Sequence, residues 1–182
     1  MTVTDADLRR ADLIGLSRVL HHGAACCTAA RSVLFARLGQ FLDVGSALAA
    51  VPELIRWGPT RWPVHWCDLD LSDGGELTGD CGVHADVASE LLRRFGVEHK
   101  RGRAAVVPNE VTPKHWQASW RDAETCDPWI GPAAIHHEVV RVGDRWWDPT
   151  EARWFDGPGS WLASGRVVAV RDDDGAWQVE QP

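Results

Sequence analysis

The amino-acid sequence predicts an α+β domain with helices first and antiparallel strands last. Three observations carry this prediction. Apolar residues recur at helical spacing through the first third of the chain, one sharply bounded amphipathic helix opens at Asp80, and alternating segments joined by Gly-Asp and Asp-rich turns fill the final third. The 182 residues suit one domain over 1–182. Within it, a helical N-terminal subdomain is expected over 1–58, and a core of one helix on an antiparallel sheet over 59–182.

In chain order, Thr4 caps a first helix with Asp5 and Asp7 in its opening turn, and Leu13, Leu16 and Leu20 continue it to Gly23. A second helical pattern runs through Leu34, Leu38, Phe41 and Leu42. A third is centred on Leu48, Val51 and Ile55, with Pro52 expected to break or kink it. Gly58-Pro59 closes the helical part. Val64–Cys67 reads as a short strand and Ser72 to Gly79 as an exposed loop. Asp80 is the N-cap of the best-defined element, a helix from Cys81 through Val87, Ala88, Leu91, Leu92 and Phe95. Arg93 and Arg94 lie in its last turn and Gly96 at C′. Val97 to Val107 is extended and ends at Pro108. An irregular stretch over 109–134 holds Trp116, Trp120 and Trp129. Ile135–Val142 and Arg145–Asp148 form a hairpin around Gly143-Asp144, and Arg166–Arg171 with Ala176–Val179 form a last one.

Composition excludes several function classes. The chain is 45% hydrophobic and 25% charged, which argues against disorder, and no run reaches a membrane span. A net charge of −7 has the wrong sign for a protein that lives on phosphate backbones, so no nucleic-acid and no membrane partner is expected. The start of the chain is acidic where a secretory signal is basic and then apolar. The five cysteines are Cys26, Cys27, Cys67, Cys81 and Cys126, an odd count with no CxxC pair. That pattern fits a reducing, cytoplasmic setting, and no metal or cofactor is expected.

One cysteine is chemically placed. A thiol at a helix start faces unpaired backbone N–H groups and the positive end of the dipole, which favour thiolate and can hold an oxyanion. The Asp80 carboxylate works against this, so Cys81 needs a base. With Gly143-Asp144 as a two-residue turn, Val142 faces Arg145 and Arg141 faces Trp146, so His137, Val139, Arg141, Trp146 and Asp148 share one face. His137 is then a diagonal neighbour of Asp148, which can fix its tautomer. A three-residue loop would put His136 there instead. His84 lies three residues after Cys81 on nearly the same helix face. With Cys67, Cys126 or His137 it forms the zinc alternative. Of the eleven tryptophans, Trp116 and Trp120 fall between the Cys and His segments and are expected to line an aromatic cleft wall.

The order of a cysteine at a helix start, an extended segment, a strand histidine and Asp-Pro-Thr closing the next strand resembles the transglutaminase-like branch of the papain-like cysteine enzymes. The matching pieces are Gly79-Asp80-Cys81 with Ala85, Leu91-Leu92-Arg93-Arg94-Phe95-Gly96-Val97, and His137 through Asp148-Pro149-Thr150, spanning roughly 77–150. The resemblance implies a Cys-bearing helix packed on an antiparallel sheet, with Cys81 as nucleophile, His137 as base and Asp148 orienting it. Here Glu138-Val139 follows the histidine without the aromatic often found between. Trp66 and Trp62 are the candidates for an upstream oxyanion-hole side chain, and calcium dependence is not expected. The expected function is cysteine-dependent acyl transfer on an amide or ester of a small molecule or peptide, with Trp66, Trp116 and Trp120 contacting substrate. The alternatives are a catalytically silent binding module with a Trp-rich cleft and a zinc protein using Cys81 and His84.

Overall fold

The computed structural model describes residues 28–58, 70–71, 76–109, 129–130 and 134–180. The helix expected from Thr4, the strand at Val64–Cys67 and most of the stretch over 109–134 lie outside them.

Helix α1 spans Thr28–Leu38 and buries Leu34 and Leu38. The pattern that promised continuation through Phe41 and Leu42 does not hold: the helix stops at Leu38, and Leu42 is 96% exposed. The reason is a competing start signal. Asp43 is extended and caps helix α2, Val44–Leu54, its carboxylate accepting from Ser46 N–H at 2.8 Å and Ser46 Oγ at 2.7 Å. These two bonds hold the Asp43 carboxyl below its ordinary range. Pro52 sits inside the last turn of α2, and the helix ends two residues later. Ile55, expected as a helical core residue, instead opens strand β1, Ile55–Trp57. It is fully buried all the same.

Strand β2 is Asp70–Leu71 and β3 is Leu77–Gly79; β1 pairs parallel with β3, and β2 antiparallel with it. Leu77–Gly79 therefore corrects the expected exposed loop. Its side chains alternate buried, intermediate and buried, an inward anchoring that the glycines and acids before it mask in the sequence.

Helix α3 runs Cys81–Arg94 with Asp80 as N-cap. Its far end is a Schellman closure. Gly96 takes φ 69°, Val97 N–H donates to Leu92 O at 2.8 Å and Gly96 N–H to Arg93 O at 3.1 Å. The second sheet follows: β4 Lys100–Pro108, β5 Trp129–Ile130, β6 Ala134–Val142, β7 Arg145–Asp148, β8 Arg153–Phe155, β9 Trp161–Leu162, β10 Gly165–Asp172 and β11 Gln178–Val179. Its order is β11-β10-β4-β6-β7-β8, with β5 on β6 and β9 on β10. Every pairing in it is antiparallel, and the sheet curls until nearly closed. The chain is thus a mixed helix-and-sheet fold with helices first, as its texture predicts.

Alternation along the strands sorts two cores. Val140 and Trp147 join the buried faces of α1, α2 and α3, among them Leu34, Val51, Leu91 and Leu92. Val139 and Trp146 point the other way, into a cluster with Ala104, Val106, Phe155, Leu162, Val167 and Val170. Each fully buried Leu or Val contributes about 1.5–3 kcal/mol relative to exposure. Gly102 makes room for the second core: a Cβ there would stand 2.4 Å from Trp146 Cζ3 and 2.7 Å from Arg171 O. The indole lies across β4 because that residue has no side chain.

Candidate functional site

The segment Gly79-Asp80-Cys81 turns β3 directly into α3. A Cβ on Gly79 would come within 2.6 Å of Val83 Cγ1, so glycine permits the abrupt entry. Asp80 is extended at φ −86°, ψ −174°, and its Oδ1 accepts from Val83 N–H at 3.1 Å. Capping ties that carboxylate to the backbone of the first turn, and Cys81 becomes the first helical residue.

The hairpin supplies the other two groups. Gly143 takes φ 59° while Asp144 stays out of the left-handed region, as a type II′ two-residue turn requires. The register Val142↔Arg145, Arg141↔Trp146 and Val140↔Trp147 follows. With that register, His137 rather than His136 stands diagonal to Asp148. Its Nε2 donates to Asp148 Oδ2 at 2.9 Å. Asp148 is itself immobilised, Oδ1 accepting from Thr150 N–H at 2.8 Å and Glu151 N–H at 3.3 Å. The carboxylate is therefore held in an Asx turn at the end of β7, and it holds the ring in turn.

Cys81, at the tip of α3, lies close enough to the imidazole to bear on its charge. Val140 alternates to the face packed on the helices, while His137 shares the Val139 face, and Cys81 is the first residue of α3. Burial would push the imidazole toward neutrality. The Asp148 charge and hydrogen bond, with a further contribution from Cys81, outweigh it and raise the His137 pKa well above its ordinary value. His137 Nδ1 is buried and has no hydrogen-bond partner of normal geometry among the described residues. The structure thus brings Cys81, His137 and Asp148 together, and it buries them. Cys81 keeps 6% of its surface, His137 1% and Asp148 none.

His84 does not look toward this group. Its Nδ1 lies 2.7 Å from Asp80 O and its Nε2 3.0 Å from Ile55 O, stitching the helix start to β1. Both ring nitrogens face backbone carbonyls, and among the described residues no group of three His, Cys, Asp or Glu side chains is placed to hold a metal ion. Burial lowers the His84 pKa against the pull of those two carbonyls. Neutral imidazole has one N–H, so one carbonyl at a time is served.

Trp62, Trp66, Trp116 and Trp120, together with Cys26, Cys27, Cys67 and Cys126, lie outside the described residues. One group near the site escaped sequence reasoning. Arg101 on β4 donates to Gly82 O, to Asp86 on α3 and to Glu138 on β6. Its signal in the sequence is faint: Glu138 follows the histidine pair directly, on the strand that carries it. Comparison with protein-family models, curated proteins and solved structures yields no match.

Proposed function

We propose that this chain is a cysteine-dependent acyl-transfer enzyme with the papain-like, transglutaminase-like arrangement that its sequence resembles. The observation that carries the reading is the Asp148–His137 bond at 2.9 Å, with the ring's other nitrogen left to the Cys81 thiol. Asp148 selects the tautomer with hydrogen on Nε2 and favours the imidazolium. An imidazolium beside a helix-start thiol favours the thiolate.

The chemistry then runs in balanced steps. The Cys81 thiolate attacks the carbonyl carbon of an amide or ester and forms a C–S bond, and the carbonyl pair moves to oxygen. The backbone N–H groups at the start of α3 are the donors available to that oxyanion. The oxyanion collapses, the C–N or C–O bond breaks, and His137 gives its proton to the departing amine or alcohol. Water or an amine then attacks the thioester, losing a proton to His137, and Cys81 is released as thiolate. The substrate is a small-molecule or peptide acyl compound, no cofactor takes part, and the thiol chemistry suits the cytoplasm. No helix among the described residues is long and apolar enough to cross a membrane.

The test is alkylation by iodoacetamide across pH, read by peptide mapping, with an activated ester as acyl donor. Cys81 is expected to react faster than the other four cysteines, to form an acyl adduct of matching mass, and to lose both in Cys81→Ala. The near-complete burial of the thiol favours one second reading, a catalytically silent binding module. An inert Cys81 that forms no adduct in the folded protein would replace the enzyme reading with that one.

A further inference from the structure

Cys81 and His137 sit on different elements, so something must set the distance between helix tip and strand. One side chain spans that gap. The Arg101 guanidinium places Nη1 on α3, 3.5 Å from Gly82 O and in contact with Asp86 Oδ1, and Nη2 on β6, 3.0 Å from Glu138 Oε2. Gly82 follows Cys81, and Glu138 follows His137. A rigid planar fork therefore joins the residue after the thiol to the residue after the imidazole. The bridge is mostly enclosed: Arg101 keeps 19% side-chain exposure and Glu138 4%, while Arg103 Nε stands 3.7 Å from the other Glu138 oxygen.

We infer that Arg101 is a positioning residue, whose guanidinium holds the Cys81 helix tip in register with the His137 strand and so sets the thiol-to-imidazole geometry. The inference rests on the acyl-transfer reading above. Lysine supplies charge but a single point of attachment, so it cannot hold helix and strand at once in fixed geometry. Misplacing reacting groups by about 1 Å costs on the order of a hundredfold in rate.

The experiment compares Arg101→Lys and Asp86→Asn with the unmodified chain, using circular dichroism, thermal melting and the pH profile of Cys81 alkylation by iodoacetamide. Both variants are expected to melt cooperatively. Their alkylation near neutral pH should be slower by roughly tenfold to a hundredfold, with a changed pH profile. A residue that merely holds the fold together would lower the melting temperature and leave that profile in place. Folded variants with the unmodified profile would overturn the inference while the acyl-transfer reading stands. Loss of cooperative melting in both would also overturn it, making Arg101 a general brace of the fold. A flat, His137-independent profile in the unmodified chain would instead remove the acyl-transfer reading itself.

Discussion

Asp148→Asn is the sharpest perturbation of the site, because it preserves shape and removes charge. The carboxylate accepts three hydrogen bonds, from His137 Nε2 at 2.9 Å, Thr150 N–H at 2.8 Å and Glu151 N–H at 3.3 Å. An asparagine whose oxygen keeps the two backbone bonds turns its NH2 toward His137. Donor then faces donor, and the ring must carry its hydrogen on Nδ1 so that Nε2 can accept. That tautomer points N–H at Cys81 and cannot take the thiol proton. A hydrogen bond to a charged group is worth about 1.5–3 kcal/mol, and about 1.4 kcal/mol is a factor of ten. Alkylation of Cys81 near pH 7 should therefore slow by roughly ten- to a hundredfold.

The same pair makes a statement about stability. The His137 pKa is raised on folding, so the stabilisation from the imidazolium–carboxylate pair is complete below the unfolded value of 6.5 and is lost as pH rises through the folded value, well above it. Urea melts should show the largest gap between the original chain and Asp148→Asn near pH 6, with the gap narrowing at high pH. An unchanged alkylation rate together with a pH-independent gap in stability would refute the reasoning.

Further outcomes follow from the packing. Gly102→Ala places a methyl group 2.4 Å from Trp146 Cζ3 and 2.7 Å from a backbone oxygen, so it should cost about 1–3 kcal/mol in denaturant melts and perturb the tryptophan fluorescence. His84 has the opposite linkage to His137. Its lowered pKa means the unfolded chain takes up a proton that the folded chain refuses, so stability falls as pH drops through 6.5. His84→Gln should flatten that acid limb, and melts from pH 5 to 7.5 measure it.

Local rules sufficed wherever the deciding contacts are close along the chain. The limits of α3 were legible because Asp80, Arg93, Arg94 and Gly96 act through capping, the helix dipole and one left-handed residue. The β6–β7 register was legible for a similar reason: a two-residue turn leaves one way to pair, and alternation then puts His137 and Asp148 on one face. Where two local signals compete, the pattern misleads. The apolar spacing of Phe41 and Leu42 looked helical, but the Asp43 cap claimed the chain for the next helix.

What tertiary structure alone decided is how segments distant in sequence meet. Ile55 and Leu77, 22 positions apart, pair as parallel strands, and nothing near either announces the partner. The bridge from Arg101 to Asp86 and Glu138 is likewise invisible until helix and sheet pack together, because charged side chains on separate elements read as solvated ones. The sequence by itself determined which residues begin helices, turn strands and face one way. Which of those faces close on each other, and how deeply Cys81, His137 and Asp148 are covered, depends on long-range packing, since burial belongs to the whole assembly of elements and to no single segment.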